Sequence, residues 1–291
     1  MTERYLWWDC ETYCETPIQS GTHRYAEGAE IMLVSWALDD GPVSVWDWTA
    51  GEPCPYDLME ALLDDEVLIV AHKSDFDRTV LRHVAPHLCP PLHRWRDSMV
   101  KALAHGLPGG LDKIGTILGL SAEDAKHQGG KEFINLFCKP QAFRHDLTRA
   151  QFASKKEFDA AVAAARDAWP GRATRHTHPE KWEQFKAYAG NDIQAMRIIY
   201  RKLPKWNYEG AELALWHLDQ QINDAGVYID QDLCRAAIAA AEKSKAEEIE
   251  KARRAEAFAV EQAYGEWLAR TYGDRSSNLQ RWRAYKATLA S

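Results

Sequence analysis

The chain has 291 residues, 46% of them hydrophobic, enough for one large or two modest domains with a packed core. No apolar run approaches the roughly eighteen residues that a membrane span needs. Met1-Thr2-Glu3-Arg4 lacks the basic and apolar regions of a signal peptide, so a cytosolic protein without a membrane partner is expected. A net charge of −7 argues against a protein that coats duplex DNA non-specifically, but not against one that lines a single groove with basic residues.

In chain order, the run Tyr5-Leu6-Trp7-Trp8 ends in Asp9-Cys10-Glu11-Thr12 and reads as a buried strand. Ile31 to Leu38 is largely apolar and Val43 to Trp48 alternates, with Asp39-Asp40-Gly41-Pro42 between them. Together these form a hairpin beside the first strand. Tyr56 to Leu63 has helical spacing, Val67 to Ala71 is a short buried strand, and Phe76 to Val84 is again helical. Strand, hairpin, helix, strand, helix predicts a mixed sheet.

Helices are expected from Asp97 to Ala104 and from Leu111 to Leu118, separated by Gly106-Leu107-Pro108-Gly109-Gly110. The polar region from Ala122 to Pro179 carries a helix over Lys156 to Ala168, closed by Pro170-Gly171, and a basic loop from Arg172 to His178. A helix beginning near Glu180 carries Trp182, Phe185, Tyr188, Ile193 and Met196. Composition shifts after Pro204, where a domain boundary is placed. Ala236 to Ala259, rich in Ala, Glu, Lys and Arg, reads as a long exposed helix or hairpin arm. Gly226 to Asp230 is the one strand-like break there.

Six cysteines without a Cys-x-x-Cys pair support neither a disulfide framework nor a cysteine zinc site. The spacing of His83, His87, Cys89 and His93 fits no zinc pattern either.

Chemistry is carried by carboxylates. Asp9 and Glu11 share one face of a strand. Asp77 falls in the first turn of a helix that leaves the buried strand through His72-Lys73-Ser74-Asp75-Phe76. Tyr188 and Asp192 lie one turn apart on a helix face. Each alone has an ordinary explanation: a solvated strand end, acids favouring a helix N-terminus, a core tyrosine with a surface acid. Asp9, Glu11, Asp77 and Asp192 brought together would repel one another and call for divalent cations. Oxygen ligands favour magnesium or manganese over zinc, and two such ions about 4 Å apart suit phosphodiester hydrolysis.

Asp-x-Glu, then Phe-Asp after a strand, then Tyr-x-x-x-Asp resembles the three motifs of the DEDDy 3′-5′ exonucleases, and in particular the proofreading domain of bacteriophage-type family A DNA polymerases. Tyr25-Ala26-Glu27-Gly28, Leu107-Pro108-Gly109-Gly110-Leu111 and Pro179 to Phe185 support the match. The resemblance implies a ribonuclease H-like fold, a mixed five-stranded sheet flanked by helices, over residues 1–205. Residues 206–291 would form a mostly helical thumb-like segment of a truncated or split polymerase, since Leu215 to Asp230 is similar to the segment linking the exonuclease to the thumb and Ser276-Ser277-Asn278-Leu279-Gln280 resembles a motif near the thumb tip. Palm and fingers are missing, so no DNA synthesis is expected.

Carried over residue by residue, the resemblance implies that Asp9 bridges two Mg2+ or Mn2+ ions, Glu11 and Asp192 complete the first site, and Asp77 supports the second. Tyr188 would hold the attacking water with Glu11. Thr12, Lys73, Ser74 and Phe76 would contact substrate, a single-stranded or frayed DNA 3′ end, in the host cytoplasm if the chain is of phage origin. The family usually has Asn where this chain has Lys73. Two alternatives stay open: a 3′-5′ exoribonuclease, and a non-catalytic module that binds DNA or a separate polymerase subunit through residues 206–291.

Overall fold

The computed structural model describes residues 3–120, 130–143, 145–169, 171–272 and 277–289. The expectations that involve residues 122–129, Pro170 and Ser276 lie outside the described residues.

The chain divides into two compact units, Met1–Asp224 and Ala225–Ser291. The first unit is built on β1 (Arg4–Tyr13), followed by α1 (Thr22–Ala26), β2 (Glu30–Leu38), β3 (Ser44–Asp47), α2 (Tyr56–Leu63), β4 (Val67–Ala71), α3 (Ser74–Val84), β5 (Trp95–Asp97) and α4 (Ser98–Ala104). Then come α5 (Leu111–Ile117), α6 (Gly130–Phe137), α7 (Lys155–Asp167), α8 (Pro179–Lys202) and α9 (Gly210–Ala225).

The five strands run in the order β3-β2-β1-β4-β5. β1 pairs antiparallel with β2 and parallel with β4. β2 pairs antiparallel with β3, and β4 parallel with β5. Mixed pairing in this order, with helices on the faces, is the ribonuclease H-like arrangement that the motifs imply. The apolar run of β1 is a central strand because it is buried on both faces: Leu6, Trp7 and Trp8 are all inaccessible to solvent. Trp7 packs its ring edge to face against Tyr200 of α8, with centroids 5.6 Å apart. The odd-numbered face of β1 therefore looks toward α8. Gly190 lies over β3, where a Cβ would stand in ordinary van der Waals contact with Val43 and Val45.

Two expectations change. β5 is three residues long and hides in a polar run, so only Trp95, inaccessible to solvent, marks it as a strand. The strand-like run at Gly226 to Asp230 is irregular backbone. Val227, Tyr228 and Ile229 are 81%, 95% and 59% exposed, so apolar composition there finds no neighbouring strand to pair with among the described residues.

α9, which follows Pro204, packs with the first unit. Trp216 is buried against Tyr208. The guanidinium of Arg78 donates to both carboxylate oxygens of Asp224, at 2.6 and 3.0 Å, and Arg82 adds a third contact at 3.0 Å. The pair is partly buried, with Asp224 still 19% exposed, and its bidentate geometry ties α9 to α3. The second unit consists of α10 (Gln231–Tyr272) and α11 (Ser277–Leu289). The long exposed helix expected there is α10, and Trp282 of α11 lies against Gly265, where a Cβ would come within 2.2 Å of its ring. No helix among the described residues is long and apolar enough to cross a membrane.

Lys101 of α4 is buried, with its ammonium 4.0 Å from the centre of the Tyr200 ring and donating to the Tyr200 carbonyl at 2.8 Å. Burial, aided by the charge of Lys205, lowers its pKa from 10.5 to about 8. Below about pH 8 the group is charged in both folded and unfolded chains and carries its full burial penalty. Between that pH and 10.5 the unfolded chain holds the proton that the folded chain has released, so stability from this group rises with pH. Chemical denaturation of wild type and Lys101→Met across pH 7 to 10.5 is expected to show the stability difference moving steadily in favour of wild type.

Candidate active site

Parallel pairing of β1 with β4 ends at Trp7 and Val70, whereas the ladder with β2 continues to Tyr13. Asp9 and Glu11 therefore lie inside β1 rather than at its tip, yet on the stretch where one flank of the strand has lost its neighbour. α3 occupies that flank. The Asp77 carboxylate accepts from the Cys10 N–H at 3.0 Å, standing where a longer β4 would have continued the sheet. Asp77 is 3% exposed. Burial, and next the charge of Asp9, push its carboxyl well above the usual carboxylate range.

Asp9 shares a cavity of about 390 Å³ with Asp192, His72, Gly110, Leu111, Asp112 and Met196. Asp192 comes from α8, and the Tyr188 hydroxyl one turn earlier donates to its Oδ2 at 3.5 Å. Both residues are buried. The stacked ring of Phe185, centroids 6.5 Å away, and the first residue of α6 hold the phenol in place. A Cβ on Gly130 would lie 2.2 to 2.4 Å from the Tyr188 ring and hydroxyl, so only glycine fits there.

Glu11 faces a neighbouring cavity of about 560 Å³, whose walls include Thr12, Tyr25, Phe76 and Cys138. The Cys138 thiol donates weakly to Glu11 Oε2 at 3.7 Å. Thr12 hydrogen-bonds the Tyr25 hydroxyl at 2.8 Å, and the Tyr25 and Phe76 rings pack at 5.5 Å. Thr12 and Phe76 thus stand together on this wall. Ser74 is instead buried, with its N–H and hydroxyl both donating to Asp97 Oδ2 at 2.6 and 3.0 Å. Neither Ser74 nor Lys73 is among the described residues that line the two cavities.

The donor set is all oxygen, which fits a hard divalent cation. Asp9 lies beside Asp77 and shares a cavity with Asp192, and Glu11 is two residues along the same strand. No group of three or more His, Cys, Asp or Glu among the described residues stands close enough to ligate one ion as it lies.

Two positioning groups have weak sequence signals. Asp97 also accepts from the N–H groups of Lys73, Met99 and Val100, at 3.2, 2.8 and 3.1 Å. It caps α4 and fixes the turn that starts α3, and burial raises its carboxyl against these donors. Its place just before a helical run was legible, its reach back to residues 73 and 74 was not. His72 bridges Ser98 Oγ and the Gly109 carbonyl, each at 2.9 Å. A carbonyl only accepts, so Nε2 carries a proton, and the ring ties the Gly109-Gly110 segment to the end of β4.

Lys73 has φ 67° and ψ 52°, left-handed backbone. Asn tolerates this conformation better than a long side chain does, at a difference within the roughly 1–2 kcal/mol that the left-handed region costs. Lys73→Asn is expected to raise stability by about 0.5–1 kcal/mol in urea denaturation. Gly130→Ala is expected to lose about 1–3 kcal/mol, the usual effect of forcing a methyl into a filled site, with a changed near-ultraviolet signal from Tyr188.

No protein-family model matches the chain. A DNA polymerase of Bacillus phage SP02 is 34% identical over 245 residues, which is 82% of this chain and 34% of that protein. The chain thus spans about a third of the relative's length. Among solved structures, Brucella melitensis NrnC bound to pGG aligns with a TM-score of 0.30 and 15% identity, over 68% of this chain and 83% of that one. The same protein with bound Mg2+ aligns with a TM-score of 0.32 and 14% identity, over 71% and 89%. Over most of its own sequence, then, the chain is similar to a part of a bacteriophage DNA polymerase.

Proposed function

We propose that the first unit is a metal-dependent 3′-5′ exonuclease that removes nucleotides from single-stranded or frayed DNA ends. The observation that carries this reading is the convergence of Asp9 and Asp192 on one cavity, with Tyr188 against Asp192 and Asp77 beside Asp9. The relationship to a phage DNA polymerase supports it.

In this reading Asp9, Glu11, Asp77 and Asp192 hold two divalent ions, Mg2+ or Mn2+. Such ions, when bound, lower the pKa of the attacking water and offset charge building on the phosphate and on the leaving 3′ oxygen. The Tyr188 hydroxyl, held by packing on Phe185 and Gly130, orients that water toward the phosphate. Glu11 accepts a hydrogen bond from it on the other side. Thr12 and Phe76 form the wall against which the terminal nucleotide rests, the Phe76 ring offering a face for a base. Lys73, at the turn into α3, supplies a positive charge for a phosphate.

A non-catalytic binding module is the second reading. It draws on the apolar side chains that α10 leaves in solvent, Val260 at 64% and Tyr264 at 51% exposure, which a polymerase subunit could cover.

The test is incubation with DNA labelled at its 5′ end, in magnesium or in EDTA, beside an RNA oligonucleotide of the same sequence. A ladder shortening from the 3′ end in magnesium alone is expected. Asp9→Ala and Asp192→Ala are each expected to lower the rate at least about a hundredfold without loss of the folded far-ultraviolet spectrum. Preference for the RNA would reassign the substrate. Absence of metal-dependent shortening, or wild-type rates in both variants, would overturn the reading in favour of the binding module.

A further inference from the structure

Ser35 lies in the middle of β2, directly opposite Asp9 in the antiparallel ladder. It is 1% exposed, and its hydroxyl makes no hydrogen bond to any described residue. Paired residues of an antiparallel ladder project from the same face with Cβ atoms roughly 4.5–5.5 Å apart. The Ser35 side chain therefore shares with Asp9 the face that looks toward α8. Its partner on the other flank is Val45 of β3, which offers no acceptor. A buried hydroxyl left unsatisfied is destabilising, and alanine would fill this strand position without that penalty.

We propose that Ser35 is a positioning residue for Asp9: by turning about χ1 its hydroxyl donates to the carboxylate and fixes the orientation in which Asp9 takes up a divalent cation. The inference rests on the metal-binding reading of Asp9. Asp9 has Asp77 on the flank where β4 has ended and Ser35 on the flank where β2 continues. One neighbour repels its charge and the other can donate to it. Rotation about χ1 moves a serine oxygen among three staggered positions, and the acceptor across the ladder on its own face is the Asp9 carboxylate. Donors of this kind orient a ligand and raise its affinity, and losing one typically weakens metal binding about 10- to 100-fold.

The experiment is calorimetric titration of the full chain with Mn2+, without nucleic acid, alongside thermal unfolding in EDTA. Wild type is expected to bind, and Asp9→Asn to lose binding. Ser35→Ala is expected to bind about tenfold more weakly with an unfolding midpoint in EDTA no lower than that of wild type, and Ser35→Thr, which keeps the hydroxyl, to recover most of that affinity. Val45→Ala, which loosens packing on the same face without touching the hydroxyl, is expected to keep wild-type affinity. If Ser35→Ala does not fold, Ser35→Cys, similar in size and a much weaker donor, is read in the same way. Binding by Ser35→Ala within twofold of wild type, or equal weakening in Val45→Ala, would overturn the role of Ser35 while leaving the metal reading intact. No Mn2+ binding by wild type would overturn both.

Discussion

The site depends on a mismatch of strand lengths. β1 runs to Tyr13, but its parallel neighbour β4 is spent at Ala71, and the backbone of β1 beyond Trp7 needs a partner on that flank. The chain answers with a side chain: Asp77, one turn into the helix that follows β4, takes the Cys10 N–H. The sheet's own unfinished edge thus draws a carboxylate to the side of Asp9. Without the tight turn at Lys73 and Ser74, held by Asp97, α3 could not start early enough to deliver it.

Much of this was legible in the sequence because it was local. The runs at Tyr5 to Trp8 and Val67 to Ala71 are too apolar to be anything but buried strands, and Tyr188 and Asp192 share a helix face by spacing alone. The three motifs in order carried the fold as well as the candidate site, since the same spacing that suits the chemistry also suits the sheet. What escaped was set by tertiary contact. A three-residue strand such as β5 has no periodicity to detect. α6 carries Gly130 against Tyr188 for a steric reason that exists only once two distant helices meet. The packing of α9 on α3 rests on Arg78 and Asp224, 146 positions apart.

The polar groups around the site share one design. Asp97, His72 and Arg94 are each buried or half-buried and spend most of their hydrogen bonds on main chain, with one serine hydroxyl each for Asp97 and His72. Arg94 alone donates to the carbonyls of Ala61, Leu62 and Val67, closing the end of α2 onto the start of β4. Groups used in this way hold loops at fixed angles while leaving the carboxylates of the cavity to carry the charge.

The distance along the chain between the first and last carboxylates has a consequence for synthesis. Asp9 is made almost at once, but Asp192 follows only after the whole sheet, and both line one cavity. Contacts between such remote positions form late, because the long loop must close before they are rewarded. A ribosome-bound chain that lacks α8 therefore carries three of the four carboxylates and lacks Tyr188. An arrangement with this order of emergence leaves the candidate site unassembled until the last long helix of the first unit's cavity has been made.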